Sequence, residues 1–305
     1  MSIFRFHQLD VFTATPLAGN ALAVFPDARG LEPYTMQALA REMNLSETTF
    51  VFPSEAATRR VRFFTPEAEI PLAGHPTIGT WWALAELGLI EGLPADGTAR
   101  VTQETGRGVL PVDVTLRDGR PAHVEMTQAL PEFGPTVADV RALARALGGG
   151  PDLVADGPPP EVVSTALPQL MVPVTSRAAL AALPSGGSGG ELTAMLRKLG
   201  TDCAMLCAPG ETAEVTAHCR MFAPGLGVPE DPATGSAAGA LGAYLVRRGG
   251  AAVRDGVARF VFEQGVEIRR PSRIEVRVTV NDGGAITGVY VGGTAVRVIT
   301  GDVTL

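Results

Sequence analysis

The sequence is short of the residues on which several large classes of protein depend. Only three cysteines occur in 305 residues: Cys203, Cys207 and Cys219. An odd count in a chain that opens without an export signal argues against a disulfide framework and fits reduced thiols in a cytoplasmic protein. Their spacing, with no clustered histidine, matches no zinc pattern, so they read as buried small hydrophobes. Basic charge is also scarce. Lys and Arg number 25 against 32 Asp and Glu, for a formal net charge of −7, and no run of Lys and Arg could track a phosphate backbone. That excludes nucleic acid as the expected partner. Long apolar runs are missing too. Met1 to Gln8 mixes charge and polarity and lacks the apolar core of a secretory signal. The longest small-apolar run, Ala237 to Val246, is broken by glycine and too short to cross a bilayer. No membrane partner is expected.

What is present is an ordinary globular balance, 46% apolar and 19% charged, in a chain long enough for one large or two medium domains. Period-two alternation over residues 3–10 predicts an opening strand, and residues 22–25 a second. A helix is expected over residues 34–43 behind Pro33, with Met36, Leu39, Ala40 and Met43 on one face. Strands are expected at 48–52 and 60–64, then a helix over 76–87 ended by Gly88. Further strands follow at 99–115 and 123–126. A helix over 137–147 runs into Gly148-Gly149-Gly150, and the Gly/Pro-rich stretch to Pro160 reads as a loop or link. After a second flexible loop at 184–187, Ser188 and Glu191 have capping-box spacing for a helix over 192–199. Strands at 203–207 and 217–222 precede a helix over 235–247. The tail from Val257 is mostly strand-like.

The chain also contains a repeat. Residues 39–53, LAREMNLSETTFVFP, align without a gap on residues 195–209, MLRKLGTDCAMLCAP. Arg62-Phe63-Phe64-Thr65-Pro66 then meets Arg220-Met221-Phe222-Ala223-Pro224, and Pro71 meets Pro229. After a small insertion Gly74-His75 meets Gly235-Ser236, and Gly88 meets Gly249. Three ordered matches in a helix-strand-strand-helix series indicate duplication of one α/β half.

The repeat singles out two helix N-termini behind small-residue turns. A helix start exposes unpaired N–H groups and partial positive charge, and glycine there admits a ligand close to the backbone. Two such ends facing one another would clamp a small carboxylate and stabilise enolate-like charge. His75 lies in the first turn and Asp231 in the second. Taken singly, His75 fits a capping or core histidine as well as a catalytic one, and Asp231 before Pro232 fits a turn residue. Their related positions favour function. Glu47 lies at the edge of an apolar strand, where partial burial would suit it to proton transfer; from its local sequence alone it reads as an ordinary strand-edge glutamate. His7, His123 and His218 read as structural. No phosphate loop or metal-ligand spacing is present. Ser236 lacks the flanking glycines of a nucleophile elbow.

At these residues the chain resembles the PhzF family, the phenazine-biosynthesis isomerases and their relatives. The matching pieces are Ala18-Gly19-Asn20, REMNLSETTF at 41–50, Phe64-Thr65-Pro66 with Glu69, Ala73-Gly74-His75-Pro76, and EDPATGSAAG at 230–239. The resemblance implies a diaminopimelate epimerase-like α/β fold of two pseudo-symmetric halves, each a mixed sheet rolled around a central helix. The halves are expected at 1–127, completed by a C-terminal strand at 296–305, and at 128–295, with the active site in the cleft between them. It implies that no cofactor and no metal is used, and that the protein is a homodimer. By the same resemblance Glu47 is the proton-shuttling glutamate, and His75 and Asp231 orient the substrate and assist the transfer. Gly74, Gly235 and Ser236 hold the substrate carboxylate, and Gln128 matches the family's glutamine at the end of the first half. The related epimerases place a cysteine at each helix N-terminus, and this chain has none there.

Three functions stay open at this point. The leading one is an isomerase that moves a proton on a small carboxylate-bearing substrate, dihydro-hydroxyanthranilate-like, with Glu47 as general acid/base. The others are an amino-acid epimerase and a small-carboxylate binding protein without catalysis.

Overall fold

The computed structural model describes residues 2–305. Chain order begins with β1 (Ile3–Val11), β2 (Asn20–Phe25), α1 (Pro33–Met43), β3 (Glu47–Phe52), β4 (Arg59–Phe64) and β5 (Glu69–Ile70). It continues through α2 (Gly74–Glu86), β6 (Gly97–Thr105), β7 (Gly108–Arg117) and β8 (Arg120–Gln128). Next come β9 (Glu132–Thr136), α3 (Val140–Ala146), β10 (Glu161–Ser164), β11 (Pro168–Pro173), α4 (Arg177–Ala181) and α5 (Gly190–Lys198). Strands β12 (Ala204–Pro209) and β13 (Ala217–Ala223) and a 3-10 turn at Pro224–Leu226 lead to β14 (Val228–Asp231) and α6 (Gly235–Arg247). The chain closes with β15 (Val257–Gln264), β16 (Ser272–Val280), β17 (Ile286–Gly293) and β18 (Ala295–Thr304). These elements form two compact units. Unit 1 holds the residues up to Thr127 together with Gly292–Leu305, and unit 2 holds Gln128–Val291.

In unit 1, β2 runs antiparallel to β1 and parallel to β3. β4 is antiparallel to β3 and β5 and parallel to β6. Antiparallel β7 and β8 follow, and β18 returns to pair with β1. Unit 2 repeats the pattern. β11 is antiparallel to β10 and parallel to β12, and β13 is antiparallel to β12 and β14 and parallel to β15. Each unit wraps its strands around one helix of thirteen residues, α2 or α6. His75 to Ala85 are all buried in α2, and α6 is buried from Ala237 to Tyr244. A helix apolar on every side belongs inside a sheet. Gly242 shows how close that sheet comes, since a Cβ there would lie 2.7 Å from Val276 Cγ1.

The outer helices cover the sheets with amphipathic faces. Met36, Leu39 and Ala40 of α1 pack on Phe25, Phe50 and Phe64, with Met43 at the margin. Three ring contacts link Phe6, Phe25, Phe50 and Phe64 across four strands. In unit 2, Leu143, Leu180, Leu192 and Leu196 of α3, α4 and α5 close over Leu170, Val172, Leu206 and Phe222. α2 stops where Gly88 turns left-handed (φ 67°) and Leu89 N–H donates back to the Leu84 carbonyl (2.9 Å).

Three sequence expectations need correction. The helix expected from Val137 begins at Val140, because residues 132–136 pair with β10 as a strand and Asp139 caps the helix through Ala142 N–H (2.9 Å). The capping box at Ser188 and Glu191 does not form. Ser188 donates its hydroxyl to the Ala146 carbonyl (2.7 Å), and Gly189 opens α5 without a side-chain cap. The repeat also shifts by three residues at the turn. Phe63 pairs with Ile70 and Met221 with Asp231, so Ile70 corresponds to Asp231, Glu69 to Glu230, and Pro71 to Pro232 instead of Pro229. The extra residues form the 3-10 turn ahead of β14.

Candidate functional site

Both central helices start on an extended residue, Ala73 for α2 and Thr234 for α6, with no side-chain cap and no acidic residue in the first turn. Their leading N–H groups are therefore not taken by capping side chains, which is the arrangement that receives an anion. In unit 1 this helix start adjoins a pair of titratable groups. Parallel pairing places Leu22 of β2 beside Glu47, the first residue of β3. His75, the second residue of α2, lies close to both strands. Its ring donates to the Ala21 carbonyl, and its Nε2 stands 3.5 Å from Glu47 Oε2.

The state of the ring follows from burial. His75 is 6% exposed, and desolvation pushes its pKa down to about 3, so the imidazole is neutral across the physiological range. With one ring nitrogen donating to Ala21, the other presents a lone pair to Glu47. A neutral histidine of this tautomer can accept a proton's hydrogen bond from the glutamate carboxyl, and it can hold that carboxyl in place.

A layer of buried polar side chains, which carries no motif, surrounds the pair. The hydroxyls of Thr49 and Thr80 bond at 2.8 Å, tying β3 to α2. Gln103 on β6 accepts from Trp81 Nε1 (3.0 Å) and donates to Thr77 in the first turn of α2 (3.4 Å). Unit 2 has its own buried glutamine. Gln264 on β15 accepts from Thr234 N–H (3.2 Å) and donates to the Thr234 hydroxyl (3.0 Å) and the Asp231 carbonyl (2.7 Å).

Asp231 ends β14, and its carboxylate accepts a short hydrogen bond from the Thr234 hydroxyl. Gly235 and Ser236 are the first two residues of α6, so Ser236 occupies the place that His75 has in α2. Ser236 Oγ accepts from Gln169 Nε2 (3.1 Å), and its carbonyl accepts from the Thr165 hydroxyl (3.2 Å). Gln128 is 8% exposed and lies beside Gly239 of the same helix. The structure thus brings Glu47, His75 and Gly74 together in unit 1, and gathers Asp231, Gly235, Ser236 and Gln128 around the start of α6 in unit 2.

Two other histidines have structural partners. His7 Nδ1 bonds the Thr300 hydroxyl (3.0 Å), and His218 Nδ1 meets Glu263 at 2.7 Å. All three cysteines are buried and unbridged. Burial raises Cys203 and Cys207 to about 12 and carries Cys219 well above the ordinary thiol range, so none is an activated thiolate. Cys203 takes the place in unit 2 that Glu47 has in unit 1. Among the described residues no group of three or more His, Cys, Asp or Glu could hold a metal ion, and no helix is long and apolar enough to cross a membrane.

Comparison with known proteins gives the family. The family model described as phenazine biosynthesis-like protein, PhzC-PhzF, matches residues 9–301. An uncharacterized isomerase of Clostridium acetobutylicum is 35% identical, with 99% of this chain and 98% of that protein covered. The trans-2,3-dihydro-3-hydroxyanthranilate isomerase of Pseudomonas aeruginosa is 37% identical over 90% of each chain. Among solved structures, a phenazine biosynthesis protein of the PhzF family from Bacillus anthracis superposes with a TM-score of 0.91 at 30% identity, covering 100% of both chains. The chain therefore belongs to the PhzC-PhzF phenazine biosynthesis-like family, with its mixed α/β fold, and is an enzyme of the isomerase class.

Proposed function

We propose that this isomerase moves a proton between carbons of a small carboxylate-bearing substrate by general acid/base catalysis, without a cofactor, and that Glu47 carries the proton. The observation that supports this reading is the neutral His75 ring with its Nε2 3.5 Å from the Glu47 carboxyl. As a carboxylate, Glu47 takes a proton from a carbon activated by the substrate's conjugated system. The electron pair left behind spreads into that system as an enolate-type anion. Glu47, now a carboxylic acid, bonds to His75 Nε2 and returns the proton to a different carbon, so one carboxylate completes the shift with no net proton change. Amide groups at Gly74 and Gly235 and the Ser236 hydroxyl would bind the substrate carboxylate, with Asp231 and Gln128 orienting the remaining polar groups. A cytoplasmic homodimer belongs to the same proposal; light scattering of the purified protein would check the dimer.

The test uses trans-2,3-dihydro-3-hydroxyanthranilate, the compound in the name of the Pseudomonas relative, incubated in heavy water. Turnover with solvent deuterium entering the product is expected from the wild type. Glu47→Gln is expected to slow turnover by about 10²–10⁴-fold, the range of positioned acid/base groups. An undiminished rate in that variant removes Glu47 from the mechanism.

A further inference from the structure

The start of α6 carries a feature that the isomerase reading leaves unused. Gln169, on β11, is 1% exposed. Its amide nitrogen is spent on Ser236 Oγ, while its Oε1 is buried with no hydrogen-bond partner. A second buried amide has the opposite deficit, for Gln128 Nε2 also has no partner. Gln169 touches Ser236, and Gln128 lies beside Gly239, one turn further along α6 on the same face. One acceptor and one donor are thus left open against a single helix face.

The internal repeat shows that this polarity is not demanded by the fold. β2 and β11 hold the same place in the two units, each parallel to the strand that follows the outer helix. Leu22 pairs with Glu47, and Leu170 pairs with Ala204, the residue after Cys203. Since Glu47 corresponds to Cys203, Gln169 corresponds to Leu22. That leucine packs wholly buried against α2 at Gly79. An apolar side chain therefore serves at this position in unit 1. Unit 2 carries an amide whose oxygen forfeits its hydrogen bonds to water on burial, a cost that folding alone does not recover.

We propose that Gln169 is a specificity-determining residue: its Oε1 accepts a hydrogen bond from an amino or hydroxyl group on the substrate, while Gln128 Nε2 donates to an acceptor on the same molecule. The substrate class is then a small carboxylate that also bears a hydrogen-bond donor. This inference rests on the small-carboxylate reading of the site, and narrows it. An apolar wall would accept an unsubstituted carboxylate as readily, whereas an amide left unpaired discriminates against it.

The experiment compares wild type and Gln169→Leu by calorimetric binding of anthranilate, 3-hydroxybenzoate and benzoate, together with thermal unfolding of the unliganded proteins. The wild type is expected to bind at least one donor-bearing acid about tenfold more tightly than benzoate, one hydrogen bond's worth of discrimination. In Gln169→Leu that preference disappears while benzoate affinity is kept, and the melting temperature is unchanged or higher. A lowered melting temperature would show the glutamine to be structural and overturn the proposal. So would a Gln169→Leu protein that keeps the wild-type preference. If the wild type binds none of the three acids, the small-carboxylate reading falls first and this inference with it. Glu47→Gln exchange data then separate the two failures.

Discussion

The two units share one ion pair and treat it in opposite ways. In unit 1, Arg62 on β4 bonds Glu69 on β5 through Nε and Nη2 (2.7 and 2.6 Å) and lies over the Phe64 ring. In unit 2, Arg220 on β13 bonds Glu230 on β14 in the same way (2.9 and 2.6 Å) and lies over Phe222. The first pair is partly open to water, its Arg62 and Glu69 side chains 18% and 43% exposed, whereas those of Arg220 and Glu230 are 2% and 1% exposed. The difference comes from α4 and the loop after it. Arg220 donates to the carbonyls of Leu180 (3.0 Å) and Leu183 (2.7 Å) and to the Ser185 hydroxyl (3.2 Å). An arginine with its donors satisfied can be roofed over, so a surface strap of unit 1 becomes the anchor of an added layer in unit 2.

The largest effect should come from breaking that anchor. Arg220→Ala leaves the buried Glu230 carboxylate without its counter-charge, with only the Ser185 hydroxyl to bond it, and strips three acceptors, so a loss of about 3–5 kcal/mol is expected in denaturant unfolding. Arg62→Ala should cost under about 1 kcal/mol, as exposed pairs do. Equal losses would show that α4 does not insulate the pair.

Acid should separate the units next. The folded pKa of His75 is depressed to about 3, below its ordinary 6.5, so between these values the unfolded chain takes up a proton that the folded chain refuses. The stabilising contribution is complete above pH 6.5 and declines as pH falls toward 3, by about 2 kcal/mol at pH 5. Burial lowers His7 as well, and it acts in the same direction. Both residues are in unit 1, so unfolding followed there should be the more acid-sensitive. Replacing His75 with Asn should flatten the pH profile of stability between 5 and 7, and an unchanged profile would locate the sensitivity elsewhere.

The smallest effect concerns how the outer helices are held. α1 has no side-chain cap, whereas α3 and α4 are capped by Asp139 and Ser176. Asp139→Ala should cost about 1 kcal/mol, read as a shift in the unfolding midpoint with the slope unchanged. No shift would mean that the apolar face of α3 holds the added layer by itself.

Long periodic segments were the legible part of the fold. α6 occupies residues 235–247 as its run of small apolar residues indicates, and α1 differs from expectation by only one residue. β10 and β11 carry no strand signal, because β10 follows the Gly/Pro-rich loop directly and β11 begins and ends on proline, which reads as a break. At the site, the helix starts could be found from the repeat, and the family motifs supplied the candidate residues. The His75–Glu47 contact could not be read, because it depends on the parallel register of β2 and β3. Gln103, Gln264 and Gln169 carry no motif. A buried glutamine differs from an exposed one only in what the fold brings to it.

One pairing described above governs when unit 1 can exist. β18 closes on β1 from the far end of the chain, and the Arg5–Asp302 contact spans 297 residues. During synthesis β1 can pair with β2 early, but its other edge must wait for β18 until all of unit 2 has been made. Unit 2 is a continuous segment and can fold while the chain is still growing. The exposed edge of β1 over that interval is the time at which this protein is most open to mispairing with another strand.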